Sequence, residues 1–96
     1  MNVEYEWDGE KAAANLNKHG VAFDEARTVF EDPLADVVPD LAHSEDETRF
    51  VGLGTSAAAR LLVVVFTERE NRIRIISARE ATPKERKHYG TYSDNP

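Results

Sequence analysis

The chain contains no cysteine, which excludes disulfides and thiolate metal sites and fits a reducing compartment. No apolar run approaches the roughly 20 residues that a membrane span needs, and the N-terminal MNVEYEWDGE is acidic, unlike a signal peptide. Motifs with a built-in mechanism are missing as well: there is no H-E-x-x-H, D-x-D-x-D-G, G-x-G-x-x-G, Walker or G-x-S-x-G pattern. Basic residues are scarce. Twelve Lys and Arg face 18 Asp and Glu in 96 residues, a net charge of −6, which argues against non-specific coating of nucleic acid. No internal repeat, low-complexity tract or linker breaks the chain, and its length suits one domain. Residues 1–90 read as that domain and 91–96 as a flexible tail.

The positive charge that is present is concentrated. Residues 1–50 hold four basic and thirteen acidic residues, a net −9, and residues 51–96 hold eight and five, a net +3. A local basic face can still grip phosphates in an acidic protein.

VEYEW (3–7) alternates as a short half-buried strand. Asp8 suits a helix N-cap, Glu10 the first turn, and Gly20 the residue that ends the helix. The spacing predicts an apolar helix face of Ala12, Leu16 and part of His19, with Lys11, Asn15 and Lys18 in one polar row. A second helix buries Phe23, Ala26, Val29 and Phe30 and ends before Pro33; Ala22 leaves it without a side-chain cap. LADVV (34–38) reads as a strand, and PDLAHSEDE (39–47) as an acidic loop. TRFVGLGTS (48–56) is a strand whose Gly52 and Gly54 mark a bulge or close approach. RLLVVVFTE (60–68) is a central strand, RENR (69–72) a tight turn, and RIRIISARE (72–80) the last strand. Pro83 opens a third helix, PKERKHY. Short connections imply antiparallel neighbours. The fold class is therefore α+β: a curved antiparallel sheet packed against two N-terminal helices, with a C-terminal helix, and a groove on the open sheet face.

Strict period two puts Arg72, Arg74, Ile76 and Ala78 on one face of the last strand, and Ile73, Ile75, Ser77 and Arg79 on the other. Arg79 then stands at the rim of a buried surface, where a guanidinium can hold phosphate or carboxylate bidentately. Lys84, Arg86, Lys87 and Tyr89 of the terminal helix offer phosphate contacts and a stacking ring, or a plain solvated face. Lys11, Asn15 and Lys18 offer a weaker polar row. His43, Glu45, Asp46 and Glu47 contain oxygen ligands for a hard cation but no metal motif, so neither metal nor cofactor is expected.

Several separated blocks, in order, resemble the BrnT family of type II toxins: EWDGEKAAANLNKHGVAFDEARTVFEDP, HSEDETRFVGLG, RLLVVVFTE and RIRIISAREATPKERKHY. KHGVAF (18–23) and RIISAR (74–79) are the most specific parts. Two positions depart from the family's pattern: Ala22 stands where Ser is usual, and TSAAARL (55–61) lacks the usual Gly before Arg. The resemblance implies a RelE-like α+β fold and a cytoplasmic ribonuclease that blocks translation. It also implies neutralisation by a BrnA-type ribbon-helix-helix antitoxin, which alone carries operator-DNA binding.

Ribonucleases of that fold class generally work without a metal. The RNA 2′-OH attacks, a base removes its proton, cations stabilise the crowded phosphate, and an acid protonates the leaving 5′-oxygen. In this sequence Arg79 is the expected scissile-phosphate contact. Arg49, Arg74 and Lys18 are expected to help it, and Lys84 and Lys11 to bind further phosphates. His19, Glu47 and Tyr89 are the candidates for proton transfer. The competing reading is a non-catalytic antitoxin-binding module; a third is a metal nuclease built on the HSEDE loop.

Overall fold

The computed structural model describes residues 3–89; the tail expected at 91–96 lies outside them. In chain order the elements are β1 (Glu4–Glu6), α1 (Gly9–His19), α2 (Phe23–Ala26), a 3₁₀ segment (Arg27–Glu31), β2 (Asp36–Asp40), a second 3₁₀ segment (Leu41–His43), β3 (Arg49–Thr55), β4 (Leu61–Arg69), β5 (Arg72–Glu80) and α3 (Pro83–Arg86). The five strands form one sheet in the order β1-β5-β4-β3-β2. The β2–β5 neighbours are antiparallel, and β1 joins β5 parallel, so the sheet is mixed at that edge. β1 can run parallel because α1, α2 and three strands intervene, which supplies the long crossover a parallel pair needs.

Local chemistry explains the elements. The Asp8 carboxylate accepts from the Glu10 and Lys11 amides, and Gly20 (φ 70°) closes α1 in the left-handed region, its N–H reaching the Leu16 carbonyl. Without a side-chain cap at Ala22, the second helix is one α turn that tightens into 3₁₀ geometry from Arg27 to Glu31. Glu70 and Asn71, both at positive φ, make the two-residue turn between β4 and β5.

The core lies between the helices and one sheet face. Val21, Phe23, Ala26 and Val29 pack on Leu62, Val64, Ile75 and Ala78. Gly54 permits this contact: a Cβ there would stand 2.8 Å from Val29 Cγ1. The α1 face differs from expectation. Leu16 is 52% exposed, and Asn15 is buried at 7%. β1 pairs only with residues 72–74 of β5, which leaves the later edge of β5 uncovered, and Asn15 takes that place. Its Nδ2 donates to the Val21 and Ala78 carbonyls at 2.9 and 2.8 Å, and its Oδ1 accepts the Ala78 amide at 3.1 Å.

The faces of β5 also differ from strict period two. The register with β4 slips between Val65 and Phe66: Val65 lies opposite Ser77, and Phe66 opposite Ile75. Ile76 is the extra residue of a β-bulge. It brings Ile73, Ile75 and Ala78 together on the core face and turns Arg72, Arg74, Ser77 and Arg79 to the open one. The expected partition of Arg79 away from Arg72 and Arg74, and of Ala78 onto their face, is thereby overturned.

Candidate functional site

Cross-strand register builds the open face row by row. One row runs Asp40, Arg49, Thr67, Arg74 and Glu6 across all five strands. Beside it Arg69 pairs with Arg72, and Arg72 with Glu4. The next row inward is Val38, Val51, Val65 and Ser77, and the last is Asp36, Leu53, Val63 and Arg79. The face is thus apolar in the middle, with Arg49, Arg69, Arg72 and Arg74 at one end and Arg79 at the other. One row lies between Arg74 and Arg79, so two row steps separate them, a run of about 13 Å at ~3.3 Å per residue.

Most of these guanidinium groups are held by carboxylates. Glu47 bridges to Arg69 at 2.6 and 2.8 Å, Glu6 to Arg74 at 2.7 Å and Glu4 to Arg72 at 3.1 Å. The hydrogen bonds from Arg69 hold the Glu47 carboxyl below its ordinary value; Arg74 and Arg49 add to that through space. The Arg49 side chain makes no hydrogen bond or ion pair among the described residues. It lines a hollow of about 270 Å³ with His43, Glu45, Asp46 and Glu47. His43 turns back to Asp40 at 3.0 Å.

Arg79 is gripped differently. Its Nη1 and Nη2 donate to the two oxygens of Glu85 at 2.8 Å each, and Nη1 also donates to the Glu80 carbonyl. Glu85 belongs to a capping box: its carboxylate accepts the Thr82 amide at 2.8 Å, and the Thr82 hydroxyl accepts the Glu85 amide. The Arg79 hydrogen bonds hold the Glu85 carboxyl down at about 2, against burial. One end edge of the guanidinium is therefore fixed. The side edge, Nε–H and the second Nη2 proton, carries no hydrogen bond among the described residues. Such an edge matches two oxygens of a phosphate.

α3 and the turn after it lie against this end of the face. Tyr89 donates to Asp32 and accepts from Thr55 Oγ1 at 3.0 Å. Burial, then the Asp32 hydrogen bond, push the phenol up from its ordinary value. Burial opposes ionisation of Asp32, but donors from Thr55, Tyr89 and Leu34 hold its carboxyl low. Tyr89 is a latch. A second hollow of about 190 Å³ lies between α3 and the sheet, lined by Asp36, Val38, Val51, Leu53, Val63, Glu85 and His88.

The fold gathers Arg49, Arg74, Arg79 and Glu47 on the open face, with Lys84 on α3 at its Arg79 end. It puts Lys11, Lys18 and His19 on α1, in the helical layer on the other side of the sheet. Three participants were not anticipated: Glu85, Arg69 and His88. Thr82-x-x-Glu85 is a readable capping box and was the available signal for Glu85. Nothing local announces Arg69, which depends on sheet register, or His88, which depends on where α3 docks. Among the described residues, no group of three or more His, Asp and Glu side chains converges as a metal site.

The model of the family described as "Ribonuclease toxin, BrnT, of type II toxin-antitoxin system" matches residues 7–85. Among solved structures, the 1.1 Å crystal structure of the Brucella abortus ribonuclease toxin BrnT superposes with a TM-score of 0.66 at 23% identity, covering 84% of this chain and 99% of that one. That likeness establishes the fold. No curated protein matches the chain in sequence.

Proposed function

The chain belongs to the BrnT family of ribonuclease toxins of type II toxin–antitoxin systems, and from that membership we propose that the open sheet face holds RNA, with Arg79 on the scissile phosphate. The observation that carries this reading is the bulge at Ile76, which turns Arg74 and Arg79 to the face that also bears Arg49. Glu85 fixes the Arg79 end edge and leaves its side edge for phosphate oxygens. Arg74 and Arg49, about 13 Å away, suit phosphates further along a single strand. Lys84 extends the basic track at the Arg79 end; Lys11, Lys18 and His19 stand outside it.

The reaction is metal-independent attack by the RNA 2′-OH, giving a 2′,3′-cyclic phosphate and a 5′-OH. Arg79 stabilises the charge that builds on the phosphate. Of the groups first considered for proton transfer, Tyr89 is spent as a latch, and Glu47 is a weak base paired with Arg69. We assign the proton transfer to His88, which lines the hollow beside Glu85, the partner of Arg79. A BrnA-type ribbon-helix-helix antitoxin neutralises the protein in the cytoplasm, and operator DNA is bound through that antitoxin alone. No helix of the described residues is long and apolar enough to cross a membrane.

The test is incubation of antitoxin-free protein with defined RNA, free and ribosome-engaged, with and without chelator, followed by end-group analysis. Cyclic-phosphate ends in chelator are expected; cleavage that stops in chelator overturns the metal-free mechanism. One observation favours a second reading. Arg69, Arg72, Arg74 and Arg79 are each already paired with a carboxylate, as in a neutralised face kept for antitoxin binding. Absence of cleavage on both RNA forms would select that non-catalytic module.

A further inference from the structure

The hollow between α3 and the sheet has a composition unlike the rest of the open face. Its floor is Val38, Val51, Leu53 and Val63, four branched aliphatic side chains from three adjacent strands. Its walls carry two carboxylates, Asp36 and Glu85, and the His88 ring. At about 190 Å³ it is smaller than the ~300–1,000 Å³ typical of drug-sized sites, a fit for one flat heterocycle. It adjoins the phosphate-binding edge directly. Val63 in its floor is the cross-strand neighbour of Arg79, and Glu85 in its wall is the Arg79 partner.

The two carboxylates are not equivalent. Glu85 is consumed by Arg79 and Thr82. Asp36 enters no side-chain hydrogen bond or ion pair among the described residues. A carboxylate is acceptor-only and offers two oxygens side by side. Among the RNA bases, only guanine presents two adjacent donors, N1–H and N2–H, on its Watson–Crick edge; cytosine, adenine and uracil each present one donor group there. Proteins read single-stranded RNA by hydrogen bonds to the edge of a splayed base that stacks on an aromatic or guanidinium plane, and the His88 ring in the wall is a group of that kind.

We propose that this hollow is a nucleobase subsite that takes a guanine adjoining the scissile phosphate, with Asp36 reading its N1–H and N2–H donors. The inference rests on the ribonuclease reading and adds the base selectivity of the same site.

The experiment compares cleavage of oligonucleotides, free or ribosome-engaged, that carry guanine, inosine or adenine beside the cleaved bond. Inosine keeps N1–H and lacks the N2 amine. Wild-type kcat/KM is expected to fall about 10-fold or more from guanine to inosine and further to adenine, the scale of one or two lost base contacts. Asp36→Asn, which keeps the side-chain size but replaces one acceptor by a donor, should erase most of that discrimination while the thermal transition holds. A second variant, Val38→Trp, fills the hollow from a half-exposed position and should raise KM for guanine substrates. Efficient wild-type cleavage that ignores the base, or an Asp36→Asn protein that keeps the full guanine preference, overturns the subsite and leaves the ribonuclease standing. Absence of wild-type cleavage on every RNA, free or ribosome-engaged, overturns both.

Discussion

Asn15 shows how a polar residue in a helix can be more deeply committed than the leucine beside it. Three hydrogen bonds join it to Val21 and Ala78, and all three partner groups are backbone atoms beside the core. Asn15→Ala should cost about 1–3 kcal/mol, the usual penalty for stranding buried backbone groups, readable as a lower urea midpoint at unchanged slope. From sequence, Asn15 falls in one polar row with Lys11 and Lys18, because the unpaired edge of β5 that it covers is invisible to periodicity. Ala59 is the reverse case. Its φ is 63°, a region that suits glycine. Ala59→Gly should therefore be neutral or stabilising by up to ~1 kcal/mol. A clear loss of stability would show that the turn is not strained. At the candidate site, Arg79→Ala should leave the sheet and its core intact, loosen the Pro83–Arg86 helix by removing the Glu85 bridge, and lower cleavage about 10²–10³-fold; growth arrest at equal expression would contradict the assignment.

The long strands, the ends of α1 and the cap at Asp8 were legible because they depend on local chemistry; the strand expected at 34–38 instead runs Asp36–Asp40, into the segment expected as loop. β5 matches its expected span, Arg72–Glu80, yet its faces were misread. One extra residue at Ile76 swaps the sides of Ser77, Ala78 and Arg79, and RIRIISARE contains no glycine or proline to mark the bulge. The site depends on that swap, so its gathering could not be read from period two. α3 is four residues long and too short to persist alone; the Arg79–Glu85 bridge and the Tyr89 latch dock it. The Glu85 carboxyl is held at about 2 in the folded protein against an ordinary 4.5. A depressed carboxyl stabilises above its unfolded value and loses that contribution as pH falls from about 4.5 towards 2. Protection of the α3 amides against hydrogen exchange should decline across this window, and Glu85→Gln should remove the decline. An unchanged profile in Glu85→Gln would place the acid sensitivity elsewhere, with Asp32 beneath Tyr89 the next group to test.

At the scale of the molecule, an acidic protein can bind RNA only if its positive charge is grouped where its negative charge is not. The division of net charge, −9 over residues 1–50 and +3 over 51–96, makes this possible, and the sheet order sharpens it. β5, β4 and β3 form the interior of the sheet, and the acidic β1 and β2 are its two edges. Glu4 and Glu6 on one edge and Asp36 and Asp40 on the other border the basic face. If the face holds RNA as proposed, these carboxylates would confine the strand to a narrow track and repel phosphate outside it. Binding should then be strongly salt-dependent despite the net charge. If Arg49, Arg74 and Arg79 each neutralise one phosphate, log K should fall against log salt with a slope of about −2, at ~0.7 per phosphate for a single strand. Arg74→Ala should reduce the slope by about 0.7 and weaken all sequences alike. Lys11→Ala and Lys18→Ala, on the helical layer, should leave it unchanged. A slope that responds to the α1 lysines and not to Arg74 would move the RNA to the opposite face of the molecule.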